Sequence, residues 1–259
     1  MKRSDLYLLK QLVKRDVFSR YKGSFLGILW SFIIPILMLV VYTFVFSVVF
    51  KGRWSVESNN HLEFALIIFS GITVFNFFSE VINRSPSLII GNSNYVKKIV
   101  FPLELLSISA LLTALIHALI SLFILFVGLV FFGDGIHFSA IYLPLVCLPI
   151  TLMTLGASWF LASLGVYVRD ISHIISVFTS ALMFLSPIFY SVNTVPVELR
   201  FIYNINPIAH TVEDMRKIII WGQLPDFTWI LIGTGIGLLM VVSGFYWLKK
   251  TRGGFADVL

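Results

Sequence analysis

A single cysteine in 259 residues, Cys147, removes two possibilities at once. One thiol cannot form a disulfide within the chain, and it cannot build a cysteine-based metal site. It lies inside an apolar run and reads as a small packing residue. Charge is equally scarce: charged residues make up 12% of the chain and hydrophobic residues 58%, with a mean hydropathy of +0.94. A soluble domain carries a polar shell with about a quarter of its residues charged. A water-soluble fold of this length is therefore excluded. Also missing are the Gly-x4-Gly-Lys-Ser/Thr loop that cradles nucleotide phosphates, the His-Glu-x2-His metal pair and the Gly-x-Ser-x-Gly nucleophile turn. The chain has no evident means of hydrolysing ATP and reads as a conduit, powered by a gradient or by a partner subunit.

What the sequence has instead is long apolar runs. The first, residues 26–50, contains no charged side chain. At about 1.5 Å of rise per residue it reaches about 37 Å, enough to cross a hydrocarbon core of about 30 Å with some tilt. It is also too long, and lacks the small-residue ending, to be a cleaved secretory signal. Repeating the argument gives six membrane spans, at 25–50, 62–82, 103–132, 138–168, 171–190 and 227–248. The fold class is an all-α polytopic membrane protein with six transmembrane helices. An amphipathic interfacial helix occupies residues 1–24, where Leu6, Leu9, Leu12, Val13 and Phe18 recur at helical spacing among seven basic residues.

The connections carry their own signals. Residues 83–102 are too polar for lipid and too long for a tight hairpin, so short surface helices are expected there. Residues 191–226 contain apolar pieces too short to cross and read as a re-entrant or interfacial hairpin. Within it Asn206-Pro207 is a helix start, with Asn as N-cap and Pro at the first position. Glu213 stands three and four residues before Arg216 and Lys217. Gly156, Ala157, Ser158, Ala162, Ser163 and Gly165 supply small residues for close helix contact in the fourth span, as Gly233 and Gly237 do in the sixth.

Two ionisable groups fall inside spans. Glu80 is expected to snorkel or to pair with Arg84, four residues on. His117, in mid-span, is expected to be a neutral histidine hydrogen-bonded between helices, since no second buried acid or base is evident at its depth. Placing the N-terminus in the cytoplasm puts 14 basic residues inside: the first seven, then Arg84, Lys97, Lys98, Arg169, Lys249, Lys250 and Arg252. Only Lys51, Arg53, Arg200, Arg216 and Lys217 fall outside, 5 in all. That asymmetry puts both termini in the cytoplasm and the 191–226 hairpin on the far side.

A gradient-driven carrier shows paired intramembrane charges or broken helices in two related halves. The sequence displays neither. It does display an elaborate basic surface suited to docking a soluble motor. The stretches RYKGSFLGILW (20–30), KKIVFPLE (97–104), VYVRDI (166–171), LSPIFY (185–190), YNINPIAH (203–210) and GGFADVL (253–259) resemble, in this order and over essentially the whole chain, the membrane subunits of bacterial ABC-2 type polysaccharide exporters.

That resemblance implies a single transmembrane domain over residues 1–259. It also implies a homodimer paired with two copies of a soluble nucleotide-binding ATPase. ATP and Mg would be bound by that partner, with no cofactor and no metal site in this chain, and no nucleic acid is involved. The chain would be a permease without catalytic residues, in the bacterial inner membrane, passing a lipid-linked O-antigen, capsule or teichoic acid-like chain outward. Asn92, Ser93, Asn94, Tyr95, Lys97 and Lys98, with the Arg169-Asp170 turn, would form or flank ATPase-coupling elements. The short helices within 196–221 would lie near the pore exit. A sugar chain has apolar ring faces, so aromatic walls let it slide. The family implies spans one and five for that wall, with Tyr42, Phe46, Phe184, Phe189 and Tyr190 as candidates. Arg15, Arg20 and Lys22 are candidates for a lipid carrier's pyrophosphate or for anionic headgroups. The alternatives are an ABC-2 exporter of a small molecule such as a drug, and a membrane enzyme of lipid-linked sugar assembly, which the lack of an acidic cluster disfavours.

Overall fold

The apolar runs fold as helices. The computed structural model describes residues 3–45, 61–97, 101–133 and 135–259. The sequence expectations for Phe46, Lys98, Asp134 and the loop carrying Lys51 and Arg53 lie outside the described residues. The helices are α1 (Arg3–Ser19), α2 (Trp30–Tyr42), α3 (His61–Arg84), α4 (Ser93–Lys97), α5 (Glu104–Phe132) and α6 (Leu143–Tyr167). They continue as α7 (Ile171–Leu185), α8 (Phe201–Ile205), α9 (Pro207–Ile219), α10 (Phe227–Thr251) and α11 (Phe255–Val258).

Among the described residues five continuous helical stretches are long and apolar enough to cross a membrane: Gly27–Val45, Leu62–Ser87, Glu104–Phe132, Phe138–Tyr167 and Phe227–Val258. The protein is thus an all-α polytopic membrane protein. The run at 171–190 behaves differently from a continuous span. Its helix stops at Leu185, 15 residues and about 22 Å long, and Ser186 turns extended with ψ 147°. Pro187 is the reason, because its ring excludes the helical conformation from the residue before it.

α3 forms the axis. It packs against α2, α5, α6, α7 and α9, and is buried along most of its length, whereas α2 fully buries only Ser31 and leaves one side exposed. One core surrounds α3, with Ile67, Ile68 and Phe75 meeting Leu125 of α5, Ile150 of α6, and Ile208, Val212 and Met215 of α9. A second core gathers the other end of the bundle: Leu12 of α1, Leu88, Ile89, Phe101, Leu105, Trp159, Val166, Leu248 and Phe255. In lipid, helices gain little from burying apolar surface against one another, so close packing must hold them. α6 and α10 achieve it with glycine: a methyl group on Gly156 would run into the Met240 carbonyl, and one on Gly244 into that of Gly156.

Two sequence expectations change. Residues 83–102 are only partly a surface segment, since Ser85, Pro86, Leu88 and Ile89 are buried. Pro86 lies on Gly165, and Ser85 Oγ donates to Ser158 Oγ at 2.7 Å. The amphipathic helix α1 buries Leu9, Leu12 and Val17 against the protein and packs on α5, leaving Leu6 and Phe18 exposed.

Candidate functional site

The interruption after Leu185 is the feature around which the site is built. Extended backbone at membrane depth leaves carbonyls without partners unless protein supplies donors. Here side chains supply them: Ser186 Oγ donates to Leu182 O and Asn206 Nδ2 to Leu185 O, and one buried guanidinium serves the extended residues beyond. Arg216 of α9 is fully buried; its guanidinium donates to Pro187 O at 2.7 Å, Ile188 O at 2.8 Å, Ile67 O at 3.3 Å and Glu213 Oε1 at 2.9 Å. Gly71 makes the approach possible, since a Cβ there would stand 3.0 Å from Arg216 Nη2. Burial pulls the Arg216 pKa down to about 10, with Glu213 opposing that shift, so the group stays a cation at neutral pH. The charge count assigns Arg216 to an outside segment; within the fold it is a core residue. The expected Glu213–Arg216 pair forms, whereas Lys217 turns to Asp214 at 2.8 Å rather than to Glu213.

α9 itself starts as its sequence dictates, with Asn206 Oδ1 accepting from Ile208 N–H at 3.0 Å and Pro207 in the first turn. It is buried on nearly all sides by the rest of the protein. Ser139 Oγ and His137 Nε2 reach back to Ile218 O and Ile220 O, at 2.6 and 3.0 Å, and tie its end to the start of α6.

The aromatic candidates meet around the same break. The Tyr42 and Phe189 rings lie 6.5 Å apart and those of Phe184 and Phe189 6.2 Å apart. Tyr190 donates to Phe184 O at 2.7 Å and shares a 2.8 Å hydrogen bond with Tyr203. α7 exposes His173, Ser176 and Ser180 together with Ile174, Val177, Phe178 and Phe184, so its open face mixes small hydroxyls with large apolar groups.

A second cluster lies nearer the opposite end. Glu80 of α3 accepts from Arg20 at 2.6 Å and from His117 Nδ1 at 3.0 Å, beside a cavity of about 300 Å³ also lined by Ser31, Thr73, Asn76 and Ser121. Three expectations are corrected here. Arg84 pairs with Asp16 of α1 at 3.1 Å, not with Glu80. His117 does have an acid at its own depth, and paired charges do exist inside the bundle. Tertiary partners win because a same-helix pair four residues apart contributes only about 0.2–0.5 kcal/mol.

The remaining candidates fall at the basic end. Arg15 donates to Tyr95 Oη at 3.1 Å and to Asn92 Oδ1 at 3.4 Å, and Tyr95 stacks on Phe101 at 4.5 Å. Arg252 donates to Phe101 O at 3.0 Å. Ser93 is half-buried, Asn94 is exposed, and Lys97 ends α4. Arg169 and Asp170 are exposed in the turn between α6 and α7. α11 packs against both α4 and α6, so the two candidate segments share one end of the molecule. Of the headgroup candidates, Arg15 and Arg20 are engaged by protein groups, and Lys22 is exposed.

A helical axis ringed by apolar spans, with one helix broken and repaired by a buried cation, defines the class as a polytopic all-α membrane protein. Residues 7–220 match the ABC-2 type transporter family, and the chain belongs to that family. It is similar to the O-antigen export system permease protein RfbA of Klebsiella pneumoniae, 26% identical over 97% of this chain and 95% of that protein. The protein of the same name from Myxococcus xanthus is 27% identical over 96% and 94%. The polysialic acid transport protein KpsM of Escherichia coli is 22% identical over 84% and 83%.

Proposed function

We propose that this chain is the transmembrane subunit of an ATP-driven exporter. It moves a lipid-linked polysaccharide, of O-antigen, capsule or teichoic acid type, from the cytoplasmic to the outer face of a bacterial inner membrane. The observation that carries this reading is the similarity, over most of the chain, to proteins named for O-antigen export and polysialic acid transport. The aromatic cluster of Tyr42, Phe184, Phe189 and Tyr190, with Ser176 and Ser180 exposed on the same helix as Phe184, supports a sugar path, since ring faces stack on aromatics while hydroxyls exchange hydrogen bonds with serines.

Two copies assemble through the exposed α2 and α7 faces, enclosing the path between them. A separate ATPase, which binds ATP and Mg, docks on the end carrying Asn92, Ser93, Asn94, Tyr95, Arg169 and Asp170. Both chain ends lie in the cytoplasm, with α7 and the extended residues after it making the sixth crossing. Deleting the chain in its own cells tests this: a lipid-linked polymer accumulates inside and surface polysaccharide is lost. Accumulation of a drug-like small molecule instead, or unchanged surface polysaccharide, contradicts the reading.

A further inference from the structure

The hairpin between α7 and α10 encloses a polar cavity of about 280 Å³, near the lower end of small-molecule sites. Its walls include Asn193, Tyr203, Asn204, His210, Asp214 and Lys217. We propose that this cavity is a saccharide-binding subsite that takes a sugar unit of the exported chain on the far side of the membrane. The ligand class rests on the export reading above; the cavity's chemistry supports it independently.

Asp214 is 2% exposed. Its Oδ1 accepts from Lys217 Nζ at 2.8 Å and from the Asp226 N–H at 3.1 Å, while its buried Oδ2 accepts nothing among the described residues. Asp214 therefore fixes Lys217 and the start of α10 in the cavity wall, and the groups open to a ligand are the amides beside it. The side-chain amides of Asn193 and Asn204 are exposed and make no side-chain hydrogen bond among the described residues. Each offers a donor and an acceptor, the pairing that neighbouring sugar hydroxyls present. His210 lies flat on Trp229 at 3.8 Å, with Nε2 bonded to Asn204 O at 3.0 Å, so an aromatic surface is fixed at the rim.

The charge pattern excludes the competing ligand classes. An anion meets Glu213, Asp214 and Asp226 with only Lys217 beside them in the wall. A metal ion finds Glu213 held by Arg216 and Asp214 held by Lys217, and among the described residues no three acids, histidines or cysteines are grouped to hold one. A neutral polyol uses the exposed amides of Asn193 and Asn204 without separating either ion pair.

The test uses the full chain in lipid nanodiscs, titrated with the methyl glycosides of glucose, galactose, mannose and rhamnose. Binding is read by saturation-transfer NMR. At least one glycoside is expected to give a saturable signal, and the doubly substituted N193A/N204A chain is expected to bind it about tenfold more weakly, the loss of roughly two hydrogen bonds. An unchanged melting temperature serves as the folding control, since both residues are exposed. If export depends on this chain but no glycoside binds, or the double variant binds equally, the subsite is overturned. If surface polysaccharide survives deletion of the chain, the export reading fails whatever the titration gives.

Discussion

Arg216 is the residue on which the interrupted helix depends. Replacing it with methionine removes the donors to Pro187 O, Ile188 O and Ile67 O and leaves Glu213 without its cation. Such a change is expected to cost about 3–5 kcal/mol, as for breaking other buried pairs. Arg216→Lys keeps the charge but, with one compact ammonium, cannot reach three carbonyls at once. It should recover only part of the loss in thermal unfolding of the purified protein. At Glu80, a double-mutant cycle with Arg20→Gln and Glu80→Gln should give a coupling energy of about 0.5–3 kcal/mol, and none if the 2.6 Å contact is incidental. Neither residue's partnership could be read locally. Glu80 and His117 are 37 positions apart, and the same-helix rule pointed Glu80 to Arg84 instead. Nothing in the segment of Arg216 shows that it is buried, because the room for it is left by Gly71 of a distant helix.

Helices were the most legible level. Length and apolarity alone located the long spans, because a membrane core demands about 20 apolar residues of any helix that crosses it. The Asn206-Pro207 start of α9 was legible too, its signal being local. Where α7 ends was also written in the sequence, as Ser186-Pro187, but an apolar tally across 171–190 conceals it. The α6–α10 contact was visible only as a supply of small residues; which glycine meets which carbonyl depends on helix rotation. Gly156→Val should force those helices apart and lower stability by about 1–3 kcal/mol, with Gly235→Val, where nothing lies within 4 Å of the added carbon, as the tolerated control. Phe255, fully buried among α6 and the basic-end core, anchors the C-terminal turn; Phe255→Ala should cost about 3–5 kcal/mol and loosen the end that carries Tyr95 and Arg169.

At the scale of the whole molecule, the two ends differ in kind. One gathers α1, α4, α11 and the Arg169-Asp170 turn around a shared core, and the other carries the hairpin, its cavity and the aromatic cluster. A permease driven from one face and releasing at the other needs such a division, and the ABC-2 family membership fits it. The direct test of the proposed function is reconstitution into liposomes with the lipid-linked polymer that deletion of the chain is expected to accumulate. With the proposed partner ATPase and ATP, the polymer should become accessible on the opposite leaflet, and omission of either should abolish its movement. Movement at an undiminished rate by this chain alone would contradict the account.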